Sequence, residues 1–101
     1  MSAPTLLPRP IHRAAVIGGG TMGRGIAMCL ADAQFPVTLL EADAARLDAA
    51  MASIAQTYDG QVRRGRIAAD QARERLARIT PTLDDVPLAG ADLIIEAAFE
   101  D

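Results

Sequence analysis

A-A-V-I-G-G-G-T-M-G, residues 14–23, runs a short apolar stretch into three glycines spaced G-x-G-x-x-G, and its reading decides the fold. An apolar run from Ala14 to Gly18 that closes on glycines is the pattern of a strand buried on both faces. From Thr21 to Ala33, Met22, Ile26 and Leu30 recur every four residues and predict one apolar helix stripe, with Gly23 and Ala27 letting that helix approach a sheet closely. Pro36 forces an extended restart, and V-T-L-L at 37–40 predicts a second strand closing on Glu41. Strand, helix and strand within 28 residues make a βαβ unit with parallel strands.

Further along, Asp43 is placed to cap a second helix, along which Leu47, Met51, Ile54, Tyr58 and Val62 hold one face. Gly60 weakens the middle of this helix and leaves room for a bend near Asp59 and Gly60, and Gly65 ends it. A shorter helix is expected over Asp70–Arg78, then an extended piece over Ile79–Leu83 whose Pro81 assigns it to a sheet edge. The final stretch, Asp92–Phe99, reads as a strand with Leu93, Ile94 and Ile95 buried on both faces. This alternation predicts an α/β fold: a Rossmann-type parallel sheet with helices on both faces, incomplete at about four strands. Residues 1–13, with Pro4, Pro8 and Pro10, are expected to form a flexible leader, and residues 14–101 a partial dinucleotide-binding domain. The last strand would leave an apolar edge that another segment of chain or a second copy must cover.

Composition narrows the chemistry. The chain has 101 residues, half of them apolar and 23% charged, with no Lys, Asn or Trp and only one His, one Cys and one Tyr. Without Lys there is neither a Schiff base nor a Walker A lysine. Cys29 and His12 cannot build a zinc cluster or an intrachain disulfide, which suits a reducing compartment, the cytoplasm by default. Ser2 and Ser53 lie in no G-x-S-x-G elbow, and a net charge of -3 argues against nucleic acid or an anionic membrane as partner. No apolar run reaches membrane-span length.

What remains is the chemistry of glycines, carboxylates and arginines. In a dinucleotide site the first glycine makes the tight turn, the second lets pyrophosphate approach the backbone, and the third permits close helix packing; Gly18, Gly20 and Gly23 have that spacing. Backbone N–H groups and the helix dipole then face the phosphates. Glu41, 18 residues past Gly23, would accept from the adenosine ribose hydroxyls and repel a 2′-phosphate, so NAD is expected and NADP is not. Candidate cofactor-binding residues are therefore Gly18, Gly19, Gly20, Thr21, Met22, Gly23 and Glu41. Arg46, a turn into the next helix, is a poor phosphate clamp by comparison. Gln34 stands where a glycine usually closes the first helix, which should strain that turn.

The blocks V-I-G-G-G-T-M-G-R-G-I-A-M, P-V-T-L-L-E-A-D, I-T-P-T-L-D-D and A-D-L-I-I-E-A-A-F-E-D together resemble the NAD-binding domain of the L-3-hydroxyacyl-CoA dehydrogenases, and within them the dehydrogenase part of the multifunctional fatty-acid oxidation enzymes. The resemblance runs from Ala14 to Asp101. It implies NAD as cofactor, an acyl-CoA as substrate of the intact enzyme, and a further cofactor contact from Glu100, just after the fourth strand. It also implies that the His and Glu that take the hydroxyl proton lie beyond this segment, so no catalytic residue is assigned and the chain alone should not turn over substrate. His12 precedes the first strand and is no substitute. Two alternatives stay open: an FAD-binding fragment, which shares the glycine loop and terminal Glu, and a non-catalytic dinucleotide-binding module. Cys29 is expected to pack as a small hydrophobe, and Arg63, Arg64, Arg66, Arg73, Arg75 and Arg78 to form a solvated helical surface.

Overall fold

A computed structural model describes residues 12–97; the leader up to residue 11, Glu100 and the end of the last predicted strand lie outside the described residues. The elements run β1 (Ala14–Ile17), α1 (Thr21–Asp32), β2 (Val37–Leu40), α2 (Ala44–Arg63), α3 (Ala69–Ala77), β3 (Ile79–Thr82), a 3-10 turn over Val86–Gly90, and β4 (Leu93–Glu96). The strands form one parallel sheet in the order β3-β2-β1-β4, with Val16 set between Leu39 and Ile95. β3, with Pro81, is an edge strand, where a missing ladder donor is tolerated.

The steps from β1 to β2 and from β2 to β3 go the same way across the sheet. Right-handed crossovers then put α1, α2 and α3 on one face, and the three helices touch one another there. Val16, Val37, Leu39 and Ile79 meet Ala27, Ala31, Leu47, Ala50, Ile54 and Tyr58 in a single core. Between β3 and β4 the direction reverses, so the same handedness carries the chain over the opposite face, where the 3-10 turn takes the place of a full helix. Helices thus cover one face among the described residues. The other is closed at its centre, where Ala15 is fully buried, and open at β4, where its neighbour Ile94 is 50% exposed. The expectation that Leu93, Ile94 and Ile95 are buried on both faces is corrected accordingly: among the described residues β4 is an edge strand, Ile94 is exposed and Leu93 and Ile95 are only partly buried.

The burial of α1 also differs from its apolar stripe. Gly23, Ala27 and Ala31 face the sheet, Ile26 and Leu30 flank them, and Met22 is 55% exposed. Small residues win this face because the helix lies so close to β1: a Cβ on Gly23 would sit 1.7 Å from the Gly18 carbonyl oxygen. Cys29 falls on the far side and is exposed, not packed. α2 continues as helix through Gly60.

Helix ends follow local chemistry. The Asp43 carboxylate accepts from the Arg46 N–H at 2.8 Å and caps α2. Its other end closes through Gly65 at φ 74°, with Gly65 N–H bonded to Val62 O and Arg66 N–H to Gln61 O. The same two-bond closure ends α1, but there Gln34 occupies the left-handed position at φ 77°, the strain expected from the missing glycine. Tyr58, buried in α2, donates to Asp32 at the end of α1 at 2.8 Å, and Arg75 of α3 approaches the same carboxylate at 3.6 Å. Arg78 donates to the Ala31 carbonyl at 3.0 Å. Arg75 and Arg78 therefore tie α3 to the end of α1, and the solvated arginine surface shrinks to Arg63, Arg64, Arg66 and Arg73.

Candidate functional site: the glycine-loop cleft

The site begins with the backbone of residues 18–20. Gly18 leaves β1 at φ 107°, a conformation side chains rarely adopt, while its N–H donates to Leu40 O at 2.8 Å and pins the turn to β2. Gly20 is the N-cap of α1 and brings no side chain to cap it; the first turn holds no acidic residue. Among the described residues the first N–H groups of α1 therefore have neither a capping side-chain oxygen nor an internal partner, the condition under which a helix start accepts an anion. Gly23 is required by packing, since no side chain fits against Gly18. At Gly19 the limit comes from α2, because an added Cβ would approach Ala50 to 2.8 Å and Glu41 to 3.2 Å.

Glu41 extends from the end of β2 to this loop. One carboxylate oxygen accepts from the Gly19 N–H at 2.6 Å and the other from the Ala42 N–H at 2.9 Å. These are charge-assisted bonds, and they hold the carboxylate at the loop mouth in a fixed orientation. The Gly19 carbonyl in turn accepts from Arg24 at 3.1 Å.

A cleft of about 1150 Å³ opens over these groups at the C-terminal ends of the strands. Ile17, Leu40 and Ala97 line its floor, Gly18, Gly19, Gly20 and Glu41 one wall, and Leu83, Asp84 and Asp85 contribute from beyond β3. It lies where chain order diverges, β2 to one side of β1 and β4 to the other, which is where open α/β sheets bind ligands.

Of the residues singled out from sequence, Gly18, Gly19, Gly20 and Glu41 are brought together in the cleft lining. Thr21 and Met22 are exposed at the start of α1 and Gly23 is buried beneath the loop; none of the three lines the cleft. Glu100 is outside the described residues. His12 lies before β1, its backbone N–H bonded to Asp92, at the opposite end of the sheet from the cleft. Sequence reasoning missed Arg24, Ala50 and the Leu83–Asp85 segment. Arg24 was findable, because side chains in a first helical turn lean toward the N-terminus. Ala50 continues the Leu47–Ile54 stripe. Nothing local marks 83–85, which only the sheet order brings to the site. Arg46 does line the cleft, though its side chain is 72% exposed and paired with Asp43 at 3.6 Å.

These features fit the adenosine and pyrophosphate of a dinucleotide: a turn that admits no side chain, an uncapped helix start, and a carboxylate at the end of β2. Residues 13–101 match the family described as 3-hydroxyacyl-CoA dehydrogenase, NAD binding domain. The chain belongs to this family. Among curated relatives, the 3-hydroxyadipyl-CoA dehydrogenase of Escherichia coli is 40% identical over 90 residues, 89% of this chain and 19% of its own length. The peroxisomal fatty acid beta-oxidation multifunctional protein MFP2 of Arabidopsis thaliana is 33% identical over 94% of the chain and 13% of its own length. The solved 3-hydroxybutyryl-CoA dehydrogenase of Escherichia coli superposes with a TM-score of 0.87 at 39% identity, over 92% of this chain and 20% of that one. The chain thus spans a fifth or less of these relatives. As a 3-hydroxyacyl-CoA dehydrogenase NAD-binding domain it takes NAD as its cofactor, and the flavoprotein alternative is set aside. Among the described residues no helix is long and apolar enough to cross a membrane.

Proposed function

We propose that residues 14–101 hold NAD for an L-3-hydroxyacyl-CoA dehydrogenase of fatty-acid metabolism. The observation that carries this reading is the Glu41 carboxylate fixed on the Gly19 N–H at 2.6 Å, at the mouth of a glycine loop that opens into the cleft. Bound NAD supplies a nicotinamide that accepts hydride from C3 of a 3-hydroxyacyl-CoA, leaving a 3-ketoacyl-CoA, NADH and a proton. The residues of this chain bind and orient. Glu41 accepts from the ribose hydroxyls and turns away a 2′-phosphate; Gly18, Gly19 and Gly20, with the N–H groups of Thr21 and Met22, face the pyrophosphate; Gly23 keeps α1 against the loop; Glu100, later in the sequence than β4, adds a further contact.

The proton-accepting His and its Glu belong to the rest of the intact enzyme, as does the acyl-CoA site. The exposed free Cys29 supports a reducing compartment, and the cytoplasm is the compartment we propose. The net charge of -3 supports a small-molecule ligand over nucleic acid or an anionic membrane. A further segment or a second copy would cover the open edge of β4.

Calorimetric titration of the chain with NAD and NADP tests the reading. Saturable NAD binding, weaker NADP binding, loss of both on Gly20→Val and a narrowed preference on Glu41→Ala are the expected results. No heat at millimolar NAD would favour a module without cofactor. Turnover of acetoacetyl-CoA with NADH by this chain alone would contradict the placement of the proton acceptor elsewhere.

A further inference from the structure

Arg24 stands one residue past the glycine motif, in the first turn of α1, with its side chain half-buried in the cleft lining. Nη1 donates to the Gly19 carbonyl at 3.1 Å, and Nη2 lies 3.5 Å from Thr21 Oγ1, a weak contact. A guanidinium has five N–H donors, so these two contacts leave three. No carboxylate pairs with it among the described residues; Arg46, Arg63 and Arg75 have such partners. A cation in the first turn of a helix also opposes the helix dipole, so its position is electrostatically unfavourable until an anion arrives. The hydrogen bond to Gly19 holds the group at the loop mouth, beside the uncapped N–H groups of α1.

We propose that Arg24 is a cofactor-binding residue outside the G-x-G-x-x-G pattern, donating to a pyrophosphate oxygen of the dinucleotide. This rests on the NAD reading and extends it. The planar fork suits the task, because one edge stays on the loop carbonyl while the other N–H groups reach a phosphate oxygen. Bound pyrophosphate converts an unfavourable cation at the helix start into the centre of an ion pair.

The test compares ligands with and without phosphate, using NMR titrations of wild type, Arg24→Met and Arg24→Lys with NAD, ADP-ribose and adenosine, and thermal melts to show that each variant is folded. Arg24→Met should weaken NAD and ADP-ribose by about tenfold, the scale of one charge-assisted bond, and leave adenosine unchanged. It should also flatten the salt dependence of NAD affinity, and Arg24→Lys should fall between the two. An equal loss for adenosine would reduce Arg24 to a support of the loop and overturn the proposal, as would unchanged NAD affinity in Arg24→Met. If the wild type binds none of the three ligands, the NAD reading itself fails, a result distinct from failure at Arg24 alone.

Discussion

Two glycines in the same helix should respond oppositely to the same change. At Gly23 an added Cβ would lie 1.7 Å from the Gly18 carbonyl oxygen and 2.8 Å from its carbon. Reaching even an ordinary C···O contact of roughly 3.3 Å requires a relative shift of at least about 1.5 Å between α1 and the loop. No rotamer relieves the clash, because both atoms are backbone, and Gly18 is held to Leu40 by its own hydrogen bond. A backbone clash this severe falls at the upper end of the usual range for overpacking, about 3 kcal/mol, against which alanine returns about 1 kcal/mol of helix propensity. Gly23→Ala should therefore lose about 2 kcal/mol and, by displacing the loop, NAD binding as well. Gly25, two residues on, has no atom within 4 Å of an added Cβ and is exposed. There the propensity gain stands alone, about 1 kcal/mol, or roughly 4–8 °C in Tm for a chain of this size. Urea denaturation followed by circular dichroism separates the two by about 3 kcal/mol, and calorimetry reads the cofactor. A Gly23→Ala chain as stable as wild type and still binding NAD would refute the close-packing argument, whatever Gly25→Ala does.

Gln34→Gly should stabilise the chain by about 0.5–1 kcal/mol, because relief of the φ 77° strain exceeds the added unfolded-state entropy; an unchanged denaturation midpoint would count against strain at that turn. Asp43→Ala removes the cap on α2 and should cost about 1 kcal/mol in the same assay. Tyr58→Phe should also cost about 1 kcal/mol, since Asp32 keeps Arg75 and solvent. Burial, then the hydrogen bond to Asp32, raises the ionisation of Tyr58 well above its ordinary value of 10.0. The unfolded chain ionises first, so the contribution of Tyr58 is intact below pH 10 and is lost as pH rises beyond it. As the only tyrosine it can be titrated by its own absorbance, and a folded chain with an ordinary phenol titration would contradict the burial argument.

What was legible in the sequence was the set of features with a local cause. The strand-glycine-helix junction at 14–23, the cap at Asp43, the edge assignment from Pro81 and the strain at Gln34 each follow from a few neighbouring residues, and the structure has all four. The errors fall where a long-range distance decides. The stripe Met22–Ile26–Leu30 is the most apolar line on α1, yet the helix turns its small residues to the sheet, because Gly23 against Gly18 sets a separation at which larger side chains do not fit. That rotation also carries Cys29 to the surface. Arg75 and Arg78 look solvated until α3 is known to pack beside the end of α1.

The same reasoning explains why only part of the cleft could be named in advance. Gly18, Gly20 and Glu41 sit at the ends of elements joined by one crossover, so a βαβ unit alone brings them together. Leu83, Asp84 and Asp85 reach the site only because β3 follows β2 outward in the sheet, a consequence of where α2 and α3 pack. Gly19 joins three elements at the cleft. Its N–H is held by Glu41 from β2, its carbonyl by Arg24 from α1, and its missing side chain leaves room for Ala50 of α2. A substitution at that single residue would therefore disturb the carboxylate, the guanidinium and the packing of α2 at once. The glycine is therefore as much a requirement of the three-element junction as of the cofactor.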